Sequence, residues 1–272
     1  MLSPDLGSTR PGGGRGRDRA VSVAARLLGL GRSLLLYHGI PFRRRRLLRF
    51  YRQFVAPGSL CFDIGAHAGN RVRCWRALGA RVVAVEPQPD FVRLLRLLYG
   101  HDPQVSILAT AVAAIPGEAT LLVSERTPTV TTLSRRWAER MAASPAFRGV
   151  NWSAGSTVPV TTLDALIARF GPPDFVKIDV EGYEAEVLAG LSVPLASLSF
   201  EYLPAARDLA LACTERLEAL GGYRYNWSAG ESHRLAECGW LSAADLCERL
   251  RAMPADGPSG DVYAVLRAER SC

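Results

Sequence analysis

The stretch from Leu60 to Pro87 limits what this chain can fold into more than any other part. A short apolar run, Leu60 to Ile64, carries Asp63 near its end. A turn with two glycines, Gly65 and Gly69, follows. Arg71 to Leu78 has helical composition and stops at Gly79. A second apolar run, Val82 to Val85, ends in Glu86. Strand, glycine turn, helix, strand, acid is one half of a nucleotide-binding α/β unit. Each part has its own physical reason. A turn without Cβ atoms lets a ligand approach the backbone closely. The first N–H groups of a helix have no intrahelical acceptor and can hold a carboxylate or phosphate. An acid at the end of the second strand is placed to accept hydrogen bonds from both hydroxyls of a ribose.

The glycine spacing separates the possible ligands. Gly-x-Gly-x-x-Gly, the dinucleotide signature, is absent; the chain has Asp63-x-Gly65-x-x-x-Gly69. A leading acid would repel a pyrophosphate but suits a ligand carrying an ammonium or a sulfonium. S-adenosylmethionine has both, plus a ribose and a carboxylate. The pattern resembles the first motif of class I S-adenosylmethionine-dependent methyltransferases. That resemblance implies a cofactor site around Asp63, Gly65, Ala66, His67, Gly69, Asn70, Glu86 and Pro87. Plainer roles stay open: Asp63 tying down its own turn, Glu86 as a first-turn helix acid, and His67 as a hydrogen-bonding loop residue.

Charge is unevenly placed. The chain of 272 residues has a formal charge of +7, yet residues 1–52 hold twelve arginines against only Asp5 and Asp18. The remainder is slightly acidic. A nucleic-acid enzyme concentrates bases around its groove, so no nucleic-acid partner is expected. Residues 1–19, rich in Gly, Arg, Pro and Ser, read as a disordered arm. Residues 20–56 read as a helical extension, amphipathic and packed on the domain. Its charge-free part, Ser33 to Phe42, is too short to span a membrane. The basic run Arg43–Arg46 reads as a solvated helix face, with peripheral contact to an anionic membrane surface as the alternative. Six cysteines without a CxxC pair or zinc spacing point to a reducing, cytoplasmic setting. The pentapeptide Asn-Trp-Ser-Ala-Gly occurs at Asn151 and again at Asn226, without an evident physical reason.

The chain beyond Glu86 reads as alternating helices and strands. Pro87 to Asp90 starts a helix whose Phe91, Leu94, Leu95 and Leu98 share one face. Val105 to Ala109 is a third strand, and Ala119 to Val123 a further strand-like run. In methyltransferases of this class the end of the third strand lies beside the adenine, which makes Thr110 and Ala111 candidates. Ser124 to Thr157 is hard to read; it holds a helix at Arg135–Ala142 and is either a cover for the site or an insertion without a role. Thr161 or Thr162 caps a short helix. Phe175 to Val180 is a buried parallel strand, and ligands bind at the carboxyl ends of such strands. Lys177, the only lysine of the chain, and Asp179 share one side of it. Three ionisable groups here, Lys177, Asp179 and Glu181, are costly unless paired or used.

Phe175 to Leu191, preceded by Thr162-Leu163-Asp164 and joined with Phe62 to Asn70 and Val85 to Pro87, resembles the signature of the FkbM-type methyltransferases across about Leu60 to Tyr202. The resemblance implies a class I fold: a seven-stranded, mostly parallel α/β sheet with helices on both faces, here within residues 57–272 and ending in an antiparallel hairpin. It implies S-adenosyl-L-methionine as cofactor and transfer to an oxygen of a small metabolite, sugar or polyketide. Asp179 is the candidate for the base or orienting group and also a cofactor neighbour, with Glu181 and His233 in reserve. No metal is expected, since Asp179 and Glu181 lack an evident ligand cluster. The rivals are a nicotinamide-dependent oxidoreductase, disfavoured by the glycine spacing, and a non-catalytic module of the same fold.

Overall fold

The computed structural model describes residues 41–124, 127, 130–144 and 147–267. The arm 1–19 and the part of the expected helical extension at 20–40 lie outside the described residues. Helix α1 (Pro41–Tyr51) opens the described chain. Arg44, Arg45, Arg46 and Arg49 face solvent, whereas Leu47, Phe50 and Tyr51 are buried. The helical apolar spacing thus serves packing: Tyr51 meets Trp75 and Phe175 edge-on, and Phe54 beyond the helix stacks on Tyr263.

Strand β1 (Leu60–Ile64), helix α2 (Asn70–Ala77) and strand β2 (Arg81–Val85) form where the sequence places them. Helix α3 (Pro89–Tyr99) follows and leads into β3 (Val105–Leu108). Phe91, Leu94 and Leu95 are buried as expected, but Leu98 is 44% exposed and Val92 is buried instead. An eleven-residue helix outruns the four-residue strand beside it, so its last apolar turn has nothing to cover it.

A small second sheet comes next. It is built from β4 (Ala111–Val112), β5 (Gly117–Val123) and β6 (Ser153–Thr161) in the order β4-β6-β5, and helix α4 (Arg135–Ala142) lies between the last two. The partner of the strand-like run Ala119–Val123 is therefore Ser153–Thr161. Composition does not announce that strand: it is rich in Ser and Thr, mostly exposed, and lacks apolar alternation.

Helix α5 (Leu163–Phe170) is capped by the Thr162 hydroxyl, which accepts from Ala165 N. After it come β7 (Phe175–Ile178), α6 (Glu184–Ala189), β8 (Ser197–Tyr202), α7 (Arg207–Leu220), β9 (Tyr223–Ala229), α8 (Ala243–Ala252) and β10 (Gly260–Leu266). The main sheet has seven strands in the order β3-β2-β1-β7-β8-β10-β9. Only β10 runs against its neighbours. Strand alternation sorts the side chains. Phe62, Ile64, Val176 and Ile178 enter one apolar core. Cys61, Phe175 and Tyr263 enter the other, under α1 and α2. Asp63 and Lys177 fall on that second face, directly opposite each other across β1 and β7.

Candidate active site

Chain order along the sheet reverses between β1 and β7, where open α/β sheets place their ligands. A cleft of about 890 Å³, its open mouth included, lies there, with Gly65, Glu86 and Asp179 among its walls. Its floor is the turn after β1. Gly65 N and Ala66 N both donate to the Val85 carbonyl, at 2.9 and 3.0 Å. Gly65 has φ +83°, and a Cβ there would collide with the Asp179 carbonyl oxygen, so only glycine lets the two strand ends close up. Gly69 plays a different part from the one expected. Its own φ is +75°, it bonds the Tyr99 hydroxyl through its carbonyl, and a Cβ on it would press into Tyr99 and Leu95. It seats α3 against the turn and does not line the cleft.

Glu86 stands at the end of β2, only 3% exposed. Its two oxygens accept from His67 N and Gln88 N, both at 2.8 Å. Each oxygen keeps acceptor capacity for a hydroxyl donor. Burial pushes its carboxyl up to about 7, against the pull of those two N–H groups. His67 packs its ring against Phe91, and burial lowers it to about 4, leaving it neutral at physiological pH. Ala66, Asn70, Pro87, Thr110 and Ala111 all line the cleft as expected. Thr110 also ties β3 to the small sheet by donating to the Pro159 carbonyl at 2.8 Å.

Asp63 does not line it. The carboxylate lies behind the wall, 1% exposed, and neither oxygen has a hydrogen-bond partner. Burial raises it to about 7.

Asp179 directly follows β7 and lines the cleft. Arg71 Nη2 lies 3.1 Å from its Oδ2 and Lys177 Nζ 3.4 Å from the same atom. Burial opposes its charge, but Lys177 and Arg71 hold it below the usual carboxylate range. Glu181 also lines the cleft, at φ +54°, a left-handed conformation that a non-glycine residue rarely adopts. Glu184 fastens this turn by accepting from Val180 N and Gly182 N, both at 3.2 Å. Glu201, at the end of β8, completes a trio: oxygens of Asp179, Glu181 and Glu201 lie within 4.8 Å of one another. Sequence reasoning assigned Glu184 and Glu201 no role, and only their position one helix turn or one strand from Asp179 could have flagged them. Burial and the neighbouring carboxylates hold Glu181 and Glu201 well above the usual range. The trio is compatible with a hard cation but does not require one. Two cations already lie beside Asp179.

His233 is not part of this group. It follows β9, the edge strand three places from β7, and does not line the cleft. There it is 8% exposed, pairs with Glu231 at 3.2 Å and packs beside Phe50 of α1. The reserve role given to it is corrected on that ground.

The segment after β5 is the roof. Thr131, Thr132 and Leu133 line the cleft, and the Thr131 hydroxyl donates to Gln88 Oε1 at 3.0 Å. Trp137 of α4 lies against Gly182, where any Cβ would strike the indole. Trp137 meets Phe147 and Trp152 edge-on, and Trp152 Nε1 donates to the Val130 carbonyl at 2.7 Å. Of the two readings of this segment, the cover is the one the packing matches.

These walls suit S-adenosylmethionine. Glu86 offers acceptors for a ribose diol, Val85, Val112 and Leu121 offer an apolar slot for a purine, and the carboxylates near Arg71 suit a cationic sulfonium. Sheet order, glycine turn and acid together define a class I methyltransferase whose cofactor is S-adenosylmethionine. The chain belongs to the FkbM methyltransferase domain family, whose model matches residues 63–205. No curated protein matches it. Among solved structures it is similar to an O-methyltransferase from Bacillus cereus in complex with S-adenosylhomocysteine (12% identity, 91% of each chain, TM-score 0.43). It is also similar to a precorrin-6Y C5,15-methyltransferase from Geobacter metallireducens (16% identity, 82% of this chain and 87% of that one, TM-score 0.42). A third is an rRNA methylase from Streptococcus thermophilus (10% identity, 81% and 94%, TM-score 0.41). Matches this distant carry no argument about the acceptor.

Proposed function

We propose that the protein methylates a hydroxyl oxygen of a small molecule. The observation that supports this most is Asp179: a carboxylate at the cleft wall, kept charged by Lys177 and Arg71. A hydroxyl acceptor must lose a proton as it is methylated, and a charged carboxylate within hydrogen-bond reach can take or orient it. S-adenosylmethionine supplies the activated methyl group when bound. The residues of the chain align the acceptor and exclude water, and the roof formed by Thr131 to Trp137 serves the second task. Glu181 lies beside Asp179 and is placed to accept a hydrogen bond from the acceptor. On this reading Asp63 lies behind the cleft wall and does not touch the cofactor.

A small acceptor fits better than a nucleic acid. Among the described residues that line the cleft Arg71 is the only Lys or Arg, and it is paired with Asp179, whereas a phosphate backbone needs several free bases. Residues 57–272 are taken as the catalytic unit with α1 docked on it, and a cytoplasmic setting belongs to the same reading. Among the described residues no helix is long and apolar enough to cross a membrane. Calorimetric titration with S-adenosylhomocysteine beside NAD tests the cofactor. Micromolar binding of the first alone is expected, and binding of NAD alone would overturn the assignment. Asp179→Asn should keep that affinity and lose turnover on hydroxylated acceptors; full turnover would remove Asp179 from the chemistry.

A further inference from the structure

Lys177 is the only lysine of the chain and is fully buried. Its ammonium has three N–H donors and three acceptors in reach: Asp261 Oδ1 at 2.7 Å, the Ile178 carbonyl at 3.1 Å and Asp179 Oδ2 at 3.4 Å. The shortest contact goes to Asp261, not to Asp179. Asp261 lies on β10, two strands away from β7 and beyond residue 205, where the family match ends.

The strand between them explains the reach. Ser199 of β8 pairs with Lys177 on one side and with Tyr263 on the other. Its small side chain, fully buried and without a hydrogen-bond partner, leaves a gap across which the lysine extends. Asp261 is itself held: the Tyr263 hydroxyl donates to Oδ2 at 3.2 Å, and Arg71 Nη2 lies 4.0 Å from the same oxygen. Arg71 then returns to Asp179 at 3.1 Å, and Tyr51 of α1 hydrogen-bonds Arg71. Two cations and two carboxylates close a ring. Only one of its members besides Arg71, namely Asp179, also lines the cleft.

We infer that Asp261 is a positioning residue for methyl transfer: by drawing Lys177 towards β10, it keeps the ammonium from closing fully on Asp179 and leaves that carboxylate acceptor capacity towards the cleft. This rests on the role given to Asp179 above. Without Asp261, Lys177 and Arg71 would keep Asp179 as the one carboxylate within 4 Å that the ring gives them, and Asp179 would be pulled inward and saturated.

The single lysine makes the test direct, and it needs no acceptor. The full chain is labelled with nitrogen-15 at lysine Nζ and yields one ammonium resonance. In the wild type that resonance should exchange slowly with water and shift on saturation with S-adenosylhomocysteine, because its partner Asp179 lines the cofactor cleft. In Asp261→Asn the resonance should move, exchange should quicken by roughly tenfold or more as one buried partner is lost, and the shift induced by S-adenosylhomocysteine should grow, because the ammonium has closed on Asp179. Asp261→Glu should reverse these changes in part. Tyr263→Phe removes one donor to Asp261 and should give an intermediate rate, which covers the case of an Asn variant that does not fold. A role confined to stability would lower the melting temperature of Asp261→Asn but leave the resonance of the loaded chain in place; that result overturns the proposal. Failure of the wild type to give calorimetric heat with S-adenosylhomocysteine would instead overturn the methyltransferase reading, and the role of Asp261 with it.

Discussion

Asp63 and Asp179 stand near the carboxyl ends of adjacent parallel strands, on the same face of the sheet. They have opposite fates. Asp63 is buried without a hydrogen-bond partner, and burial raises its carboxyl to about 7. Asp179 is less enclosed and has two cations within 3.4 Å, so it stays below the usual range. Burial disfavours charge at both sites, and the difference is the partner. The end of β1 is built for a ligand to approach backbone, whereas the end of β7 is built to hold a charged side chain still.

The largest effect expected from breaking this pair of sites is on their junction. Gly65→Ala forces a Cβ into the Asp179 carbonyl at a left-handed φ. Affinity for S-adenosylhomocysteine should fall on the order of 100-fold or more, as calorimetry would read. Wild-type affinity would mean that the strand ends are not packed as described. Next comes Asp179→Asn, with turnover down by about 10²–10⁴-fold and S-adenosylhomocysteine affinity within a few fold. If affinity falls with turnover, Asp179 belongs to the cofactor end and the contrast between the two strands weakens. Glu86→Gln is smaller. Both carboxylate oxygens accept backbone N–H groups, and an amide offers only one acceptor, so about 1–3 kcal/mol should be lost for the group left facing a donor. Thermal unfolding with and without S-adenosylhomocysteine would measure it.

The smallest effect is the dependence of stability on pH, and it sharpens the comparison because the signs differ. Asp63 and Glu86 both have folded values near 7, above their ordinary 3.8 and 4.5. The fold binds their protons more tightly than the unfolded chain does. Their contribution is present below about pH 4 and is lost as pH rises through 7. Asp179 has a lowered folded value, so its contribution is present above the ordinary carboxylate value and is lost as pH falls through the folded one. Cofactor-free Asp63→Asn should therefore show a flatter loss of stability between pH 5 and 8 on the order of a few degrees in melting temperature. Asp179→Asn should change only the acid side. A wild-type slope of the opposite sign above pH 5 would contradict the placement of Asp63.

Much of this was legible before any fold was known. Leu60 to Glu86 announced strand, turn, helix and strand because each part depends on neighbours in sequence: a period of two, a period of 3.6, and glycines where φ is positive. Gly65 to Ala68 and Asn70, with the residues at the ends of β2 and β7, reached the cleft for the same reason. The misses share a different character. Ser153–Thr161 became a strand through a partner strand thirty or more residues away. His233 failed to reach the site because β9 lies at the sheet edge. Glu201 and Asp261 gained their places from strand order alone.

The repeated pentapeptide gives the cleanest separation. Asn151 is exposed, whereas Asn226 is 1% exposed; its amide donates to the Glu237 and Gly239 carbonyls at 2.9 and 3.0 Å and accepts from Glu237 N. The asparagine of one local sequence is thus exposed in one place and clamps a loop in the other. The chain by itself determined the family, the glycine turn at the cleft and which strand would carry the carboxylate proposed for catalysis. Only the tertiary structure decided which acids stand alone and which are paired, because a partner across the sheet is set by strand order and register, and neither is written in neighbouring residues.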